Sequence, residues 1–215
     1  MAAEERTIIG FVHVYMVNHW KDILVEQISL MRISGLYDRV KNIYVGCIGA
    51  PEQLEILRRI VNPYPKIIVA LYGSNARMYE FMTLALLKQK ADILSQHYGF
   101  YIHSKGVSYP GNEGGKYWRD YMNYYNITRW KDAVEKLDFG YDTCGVKLVN
   151  KIYPLHYSGN FFWYNSEYVK VLPDLVKIDR TDRFKAEMWI CMGQPICATL
   201  CQDFVDYNTT GIFKP

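Results

Sequence analysis

Short apolar segments alternate with longer amphipathic ones along the first half of the chain. Four short segments are rich in β-branched and aromatic residues, which predicts buried strands over 7–15, 42–49, 66–72 and 100–102. Segments with apolar residues at helical spacing lie between them, and these predict helices over 20–34, 51–61 and 78–96, the last being the most clearly amphipathic. This alternation favours a single α/β domain with a central, mostly parallel sheet and helices on both faces.

The pattern changes after Gly106. Residues 109–115 contain a proline and three glycines, which predicts a loop able to close over a ligand. Beyond it, apolar spacing predicts helices over 118–125, 127–137 and 166–172, and strands over 142–148 and 160–164.

Composition narrows the class of protein. A chain of 215 residues that is 50% hydrophobic is long enough for one substantial core, so we expect one domain over 1–215. A net charge of +3 without a clustered basic face excludes a nucleic-acid footprint. The first residues lack the pattern of a secretory signal and no apolar run is long enough to span a membrane, so we expect a cytoplasmic protein.

The five cysteines predict reduced thiols. None forms a Cys-x-x-Cys pair of the kind that binds zinc. The spacing of Cys197 and Cys201 would place both on one helical face, where we expect them to act as small buried apolar residues.

Candidate chemistry begins at the end of the strand that contains Phe100, where His103, Ser104 and Lys105 follow directly. Ligands of open α/β sheets bind at the carboxyl ends of the strands, although a His and a Lys there are also typical of a solvated turn. A second polar segment, with His156 and Ser158-Gly159-Asn160, precedes an aromatic run. The 19 tyrosines and 5 tryptophans are typical of sugar and nucleobase sites, and equally of cores.

Four motifs give the chain a resemblance to a known family: Phe11-Val12-His13-Val14-Tyr15, Ser34-Gly35-Leu36-Tyr37, Tyr101-Ile102-His103-Ser104-Lys105-Gly106 and His156-Tyr157-Ser158-Gly159-Asn160-Phe161. With them the chain resembles the GT-A-type glycosyltransferases, in particular a group from large algal viruses and bacterial polysaccharide clusters. The resemblance implies a Rossmann-like GT-A domain with a donor-binding half at about 1–108 and an acceptor half at about 109–215.

That resemblance implies transfer of a sugar from a UDP-sugar to a hydroxyl group of a glycan or glycoprotein. For the viral group it implies capsid glycosylation in the host cytoplasm. The alternative is a non-catalytic nucleotide- or sugar-binding module. A Rossmann-like oxidoreductase is set aside because no Gly-x-Gly-x-x-Gly follows the first strand. The end of the chain at residues 211–215 would suit one domain of a longer protein.

The resemblance assigns the nucleotide-sugar to three strand ends: Val12, His13, Val14 and Tyr15 for the base; Gly73, Ser74, Asn75 and Arg77 for ribose and phosphate; and His103, Ser104 and Lys105 for the diphosphate. Free N–H groups at a helix start favour anions, which suits the second group. The alternatives are that His13 is a satisfied strand histidine and that Ser74 or Asn75 only caps a helix.

GT-A enzymes carry a metal-binding Asp-x-Asp where this chain has His103-Ser104-Lys105. A lysine cannot bind a metal ion but neutralises phosphate oxygens as a point charge. His103 or His156 remains a candidate ligand, and for imidazole we expect Mn2+ rather than Mg2+.

Catalysis needs a group that stabilises the departing phosphate and a base that deprotonates the acceptor. The resemblance gives these roles to Lys105 and Glu187, with His156 beside the sugar, although Glu187 could be a solvated surface charge. Asp120, Asp142 and Asp203 are reserve candidates for the base. The resemblance assigns sugar contacts to Ser158, Gly159, Asn160, Trp118 and Arg119, for which a strand bulge, core packing and surface exposure are the alternatives. The transferred sugar, and retention or inversion at its anomeric carbon, stay open.

Overall fold

A seven-stranded sheet forms the centre of the protein in the order β3-β2-β1-β4-β8-β5-β9. This computed structural model describes residues 6–108, 113–150 and 154–202. The strands of these residues are β1 (Ile8–Met16), β2 (Val40–Gly49), β3 (Ile67–Gly73), β4 (Tyr98–His103), β5 (Thr143–Val146), β6 (Leu148–Val149), β7 (His156–Tyr157), β8 (Phe162–Asn165) and β9 (Cys197–Cys201). Within the sheet β8 alone runs antiparallel to its neighbours. The predicted mostly parallel α/β domain is confirmed.

Helices cover both faces of the sheet. They are α1 (Trp20–Ile33), α2 (Leu36–Arg39), α3 (Pro51–Val61), α4 (Phe81–Ile93), α5 (Glu113–Asn123), α6 (Trp130–Asp138), α7 (Ser166–Lys170) and α8 (Phe184–Met188). Short helical turns lie at Ala76–Met78, Tyr124–Thr128, Leu175–Lys177 and Trp189–Cys191. Side chains of α1, α3 and α6 pack into one apolar core, whereas those of α4, α7 and α8 pack into a second core.

The central strands bring distant residues together at one edge. β1 pairs in parallel with both β2 and β4, and its register places His13 beside Gly46 and beside His103. Every residue of β4 is buried. The carboxyl ends of three parallel strands therefore meet where the polar side chains begin.

The helix predicted over 78–96 differs from the observed one. It begins at Phe81, because residues 76–78 form a 3-10 turn and Tyr79 has a positive φ of 44°. It is also not clearly amphipathic, since it packs between the sheet and α7 and buries polar Lys88. That ammonium group donates to Asp92 and to the carbonyl oxygen of Lys170.

Two predictions for the second half are corrected. Gly114 and Gly115, expected in a loop, belong to α5, while 109–112 lie outside the described residues. Cys197 and Cys201 lie in strand β9 and not on a helix, because β5 offers a parallel edge with which this segment pairs. Asp203 and the remainder of 203–215 also lie outside the described residues. No helix among the described residues has the length and apolar character to cross a membrane.

Candidate functional site

A cleft of about 420 Å³ opens at the carboxyl ends of β1, β2 and β4. Its walls come from the strand ends, the turn before α4, the loop after β4 and the region of α8. The lining residues are His13, Tyr15, Ile48, Ala76, Arg77, Tyr79, Glu80, His103, Ser104, Lys105, Gly106, Val107, Ser108, Gly115, Arg183, Ala186 and Glu187. The structure thus gathers at one place several side chains that are up to 174 residues apart, from His13 to Glu187.

Glu80 occupies the base of the cleft and was missed by the sequence analysis. Its Oε2 accepts hydrogen bonds from the Tyr101 hydroxyl at 3.0 Å and from the Asn160 amide, and its Oε1 lies 3.6 Å from His103 Nδ1. Burial alone would raise the pKa of this carboxyl, but its electrostatic interactions with His103 and His13, the Asn160 hydrogen bond and the charge of Lys105 hold it below its ordinary value. Glu80 is therefore a negative charge whose Oε2 already accepts two hydrogen bonds and whose Oε1 faces His103.

His103 is held on one side of its ring by a hydrogen bond and faces a carboxylate on the other. Nε2 lies 2.9 Å from the carbonyl oxygen of Gly159, which can only accept, so Nε2 carries a proton. Nδ1 faces the Glu80 carboxylate. The imidazole thus links the end of β4 to the polar segment before β8.

His13 is a buried neutral imidazole. Burial is the main cause that lowers its pKa to about 4, and the neighbouring His103 acts in the same direction against the opposing charge of Glu80. Its Nδ1 lies 2.8 Å from the Thr83 hydroxyl. Thr83 can approach only because residue 46 is glycine, since a Cβ there would overlap the threonine side chain. The satisfied-histidine alternative thus holds for Nδ1, while the ring still lines the cleft.

The loop after β4 is tied to β1. The Ser104 hydroxyl accepts a hydrogen bond from the Tyr15 backbone N–H at 2.9 Å, and the Ser104 N–H donates to the His13 carbonyl at 3.0 Å. Gly106 then turns the chain with a φ of 83°. These contacts place the Lys105 side chain in the wall of the cleft, in the predicted position beside a strand end.

The turn before α4 supplies Arg77 and Tyr79. The Asn75 side chain accepts a hydrogen bond from the Arg77 N–H at 3.0 Å, so Asn75 caps this 3-10 turn, as the alternative for that residue predicted. Tyr79 is held in a conformation that is rare for a residue with a side chain. Gly73 and Ser74 do not belong to the lining of the cleft.

The polar segment before β8 supports the cleft from behind. Gly159 and Asn160 hold His103 and Glu80 through the contacts above, and neither they nor Ser158 line the cleft. Gly159 has a φ of 85°, and a Cβ there would meet Met122 and Trp118. This segment therefore positions the residues that do line the cleft.

Other predicted site residues lie elsewhere. Val12 and Val14 point into the apolar core. The buried Arg119 guanidinium donates to Glu26 at 3.3 Å and to the Lys105 carbonyl at 3.2 Å, outside the cleft. Trp118 packs at the edge of the apolar core. Neither Trp118 nor Arg119, both predicted to contact the sugar, lines the cleft. His156 also lies outside it, with Nδ1 2.7 Å from the Pro154 carbonyl oxygen.

The structure brings Glu187 of α8 to the cleft, near enough to β4 for its charge to act on Tyr101. Within the described ranges its carboxylate has no hydrogen bond or ion pair, in contrast to Glu80. Of the reserve carboxylates, Asp120 pairs with Lys116 at 2.6 Å and Asp142 accepts from the Ile196 N–H at 2.8 Å, both away from the cleft.

The polar groups of the cleft do not fit a site for a divalent metal ion. Both nitrogens of His103, one nitrogen of His13 and both oxygens of Glu80 face protein partners. The described part of the chain contains no group of three or more His, Cys, Asp or Glu side chains that could hold such an ion. His103 is thus unsuited to the ligand role considered for it, because its Nε2 is a donor and its Nδ1 faces a carboxylate.

Comparison with solved structures shows the fold. The 4-diphosphocytidyl-2C-methyl-D-erythritol synthase of Anaerococcus prevotii DSM 20548 superposes with a TM-score of 0.50 at 9% identity, over 92% of this chain and 90% of that chain. HddC from Yersinia pseudotuberculosis superposes with a TM-score of 0.52 at 8% identity, over 95% of each chain. These likenesses support the Rossmann-like architecture.

Comparison by sequence gives the family. A search of curated protein sequences found no match. The model of one family, described as a domain of unknown function (DUF8361), matches residues 11–189, which is most of the chain. The protein therefore belongs to the DUF8361 family.

Proposed function

We propose that the protein is a glycosyltransferase that moves a sugar from a UDP-sugar to a hydroxyl group of a glycan or glycoprotein. The observation that carries the proposal is the cleft at the strand ends, which has cationic side chains on several walls and a carboxylate, that of Glu187, with no hydrogen bond or ion pair to the described part of the chain. Ligands of Rossmann-like folds bind at this edge of the sheet. The acceptor class and the link to capsid glycoproteins rest on the resemblance of the motifs alone.

The cleft suits the parts of a nucleotide-sugar. Tyr15 and Ile48, at the ends of β1 and β2, offer an aromatic ring and an apolar surface for the base. Lys105 and Arg77 line the same cleft, where they would meet the phosphates. Glu187 of α8 lines the same cleft and would meet the acceptor.

The chemistry requires one base and one stabilised leaving group. In a direct displacement the acceptor oxygen bonds to the anomeric carbon, the bond from that carbon to the phosphate oxygen breaks, and UDP leaves. Glu187 takes the proton of the acceptor hydroxyl, and the cations stabilise the charge that develops on UDP. Glu80 is unsuited to the base role because its oxygens already accept two hydrogen bonds.

The test is release of UDP from a panel of UDP-sugars, with glycan acceptors and with water alone. The proposal expects release by the wild type and a loss of about a hundredfold or more in Glu187→Gln, with UDP binding retained. The control is Glu135→Gln, which changes an exposed glutamate of α6. Binding of UDP without any release of UDP from UDP-sugars would contradict transfer and favour the non-catalytic binding module.

Nucleotidyl transfer is a second candidate, favoured by the fold shared with a synthase named for a diphosphocytidyl product. The same cations would then meet a nucleoside triphosphate. This candidate expects release of pyrophosphate from CTP or UTP in the presence of a sugar phosphate. Release of UDP from a UDP-sugar without pyrophosphate would exclude it.

A further inference from the structure

Three cationic side chains reach the cleft from three separate segments of the chain. Arg77 comes from the turn before α4, Lys105 from the loop after β4 and Arg183 from the start of α8. Among the described residues, none of the three has a hydrogen bond or an ion pair through its side chain. The guanidinium carbon of Arg183 lies 5.0 Å from the centroid of the Phe184 ring. The cleft thus gathers three positive charges that form no ion pair within the described ranges.

The carboxylates of the cleft do not remove this charge. Glu80 accepts hydrogen bonds from Tyr101 and Asn160 and faces His103, and the charge of Lys105 acts on it without an ion pair between them among the described residues. Glu187 is also unpaired within the described ranges. Uncompensated cations that converge on a cleft are typical of a site for an anion with several oxygens.

The same residues leave little for a metal ion to bind. A metal-bound diphosphate needs several protein ligands with free lone pairs, but His103 donates from Nε2 and Glu80 Oε2 already accepts two hydrogen bonds, so that among the described residues Glu187 is the one lining carboxylate with both oxygens open to an ion. Guanidinium and ammonium groups, in contrast, have only protons to offer, and these match phosphate oxygens directly.

We propose that Arg77, Lys105 and Arg183 bind the diphosphate of the nucleotide-sugar directly and take the place of a divalent metal ion. This inference rests on the proposed function, because it concerns how the donor is held. Arg183 is the new member of the set, and it approaches from the side of Glu187. It would therefore connect donor binding to the position of the base.

The first experiment compares ligands and metal in calorimetric titrations of the intact protein. The probes are UDP and uridine, each in buffer with EDTA and in buffer with Mn2+. The inference expects UDP to bind much more tightly than uridine, with a UDP affinity that changes by less than about twofold between the two buffers. It also expects the UDP affinity to fall with added salt, whereas uridine binding stays constant.

The second experiment removes each charge. Arg77→Ala, Lys105→Ala and Arg183→Ala should each weaken UDP binding in EDTA by about tenfold or more and leave uridine binding unchanged. All three positions are at least partly exposed, so the variants should fold like the wild type, which circular dichroism checks. Arg59→Ala is the matched control, since it removes a positive charge from an exposed position of α3 outside the cleft.

The outcomes separate this inference from the proposed function. UDP binding that is lost in EDTA and restored by Mn2+ would overturn the inference and leave the donor site intact. Equal losses of UDP and uridine affinity in the three variants would also overturn it, because the side chains would then not act on the phosphates. Failure of both UDP and uridine to bind under every condition would overturn the proposed function together with it.

Discussion

Replacement of Glu80 should destabilise the protein far more than replacement of an ordinary surface glutamate. The carboxylate accepts from the hydroxyl of Tyr101 on β4 and from the amide of Asn160 before β8, and it faces His103. Glu80→Ala leaves two buried donors without an acceptor. It also removes the hydrogen bonds that connect the start of α4 to β4 and to the segment before β8.

The magnitude follows from those two donors. An unsatisfied buried donor costs about 1–3 kcal/mol, and the Glu80 side chain keeps 20% exposure, so that water relieves part of the cost. We therefore expect Glu80→Ala to lower the free energy of unfolding by about 2–4 kcal/mol. Glu80→Gln retains one acceptor oxygen and should cost about half as much.

Urea denaturation followed by tryptophan fluorescence measures this loss. Glu135→Ala is the control and should stay within about 0.5 kcal/mol of the wild type. Tyr101→Phe removes one of the two donors, so in the Glu80→Ala background it should cost less than it does alone. A loss below about 0.5 kcal/mol for Glu80→Ala, or additive effects of the two changes, would refute the account of this network.

Three further predictions concern the residues around the cleft. Because burial lowers the pKa of His13 to about 4, the unfolded chain binds a proton between about pH 6.5 and 4 that the folded protein does not. As the pH is lowered from about 6.5 to 4, the free energy of unfolding should therefore fall by about 3 kcal/mol. Urea titrations of His13→Gln should show a flatter pH dependence. Arg119→Ala should lower the free energy of unfolding, measured by urea denaturation, by about 1–3 kcal/mol, because it removes the ion pair with Glu26 and the hydrogen bond to the Lys105 carbonyl, while Glu26 keeps its hydrogen bond from Asn123. Gly46→Ala should lower the melting temperature in calorimetry, at a cost of about 1–3 kcal/mol, because its Cβ would overlap Thr83; an unchanged melting temperature would contradict the packing described for His13.

The sheet and one wall of the cleft could be predicted from local patterns. The apolar segments before His103 and after Thr7 each correspond to a buried strand, and parallel strands place their carboxyl ends on one edge. The position of Lys105 just after a strand was therefore enough to predict that it lies at this edge of the sheet. Glu187 was placed by the resemblance, and the structure brings it to the same cleft.

The rest depended on contacts between distant residues. Glu80 precedes a helix, and its partners lie 21 and 80 residues further along the chain, so no local pattern marks it. Arg119 lies in an amphipathic helix, and the pattern of that helix does not show that Arg119 is buried and paired with a carboxylate of α1. A polar segment such as Ser158-Gly159-Asn160 looks the same whether it contacts a ligand or holds the residues that do.

The most direct test of the central claim is a crystal structure of the protein with UDP. The account predicts the base against Tyr15 and Ile48 and the diphosphate within hydrogen-bond distance of Lys105, with Arg77 or Arg183 on the same phosphates. Glu187 should remain free beside the outer phosphate. UDP bound at another surface, or a cleft that stays empty at a saturating concentration of UDP, would contradict the claim that the strand ends form a donor site.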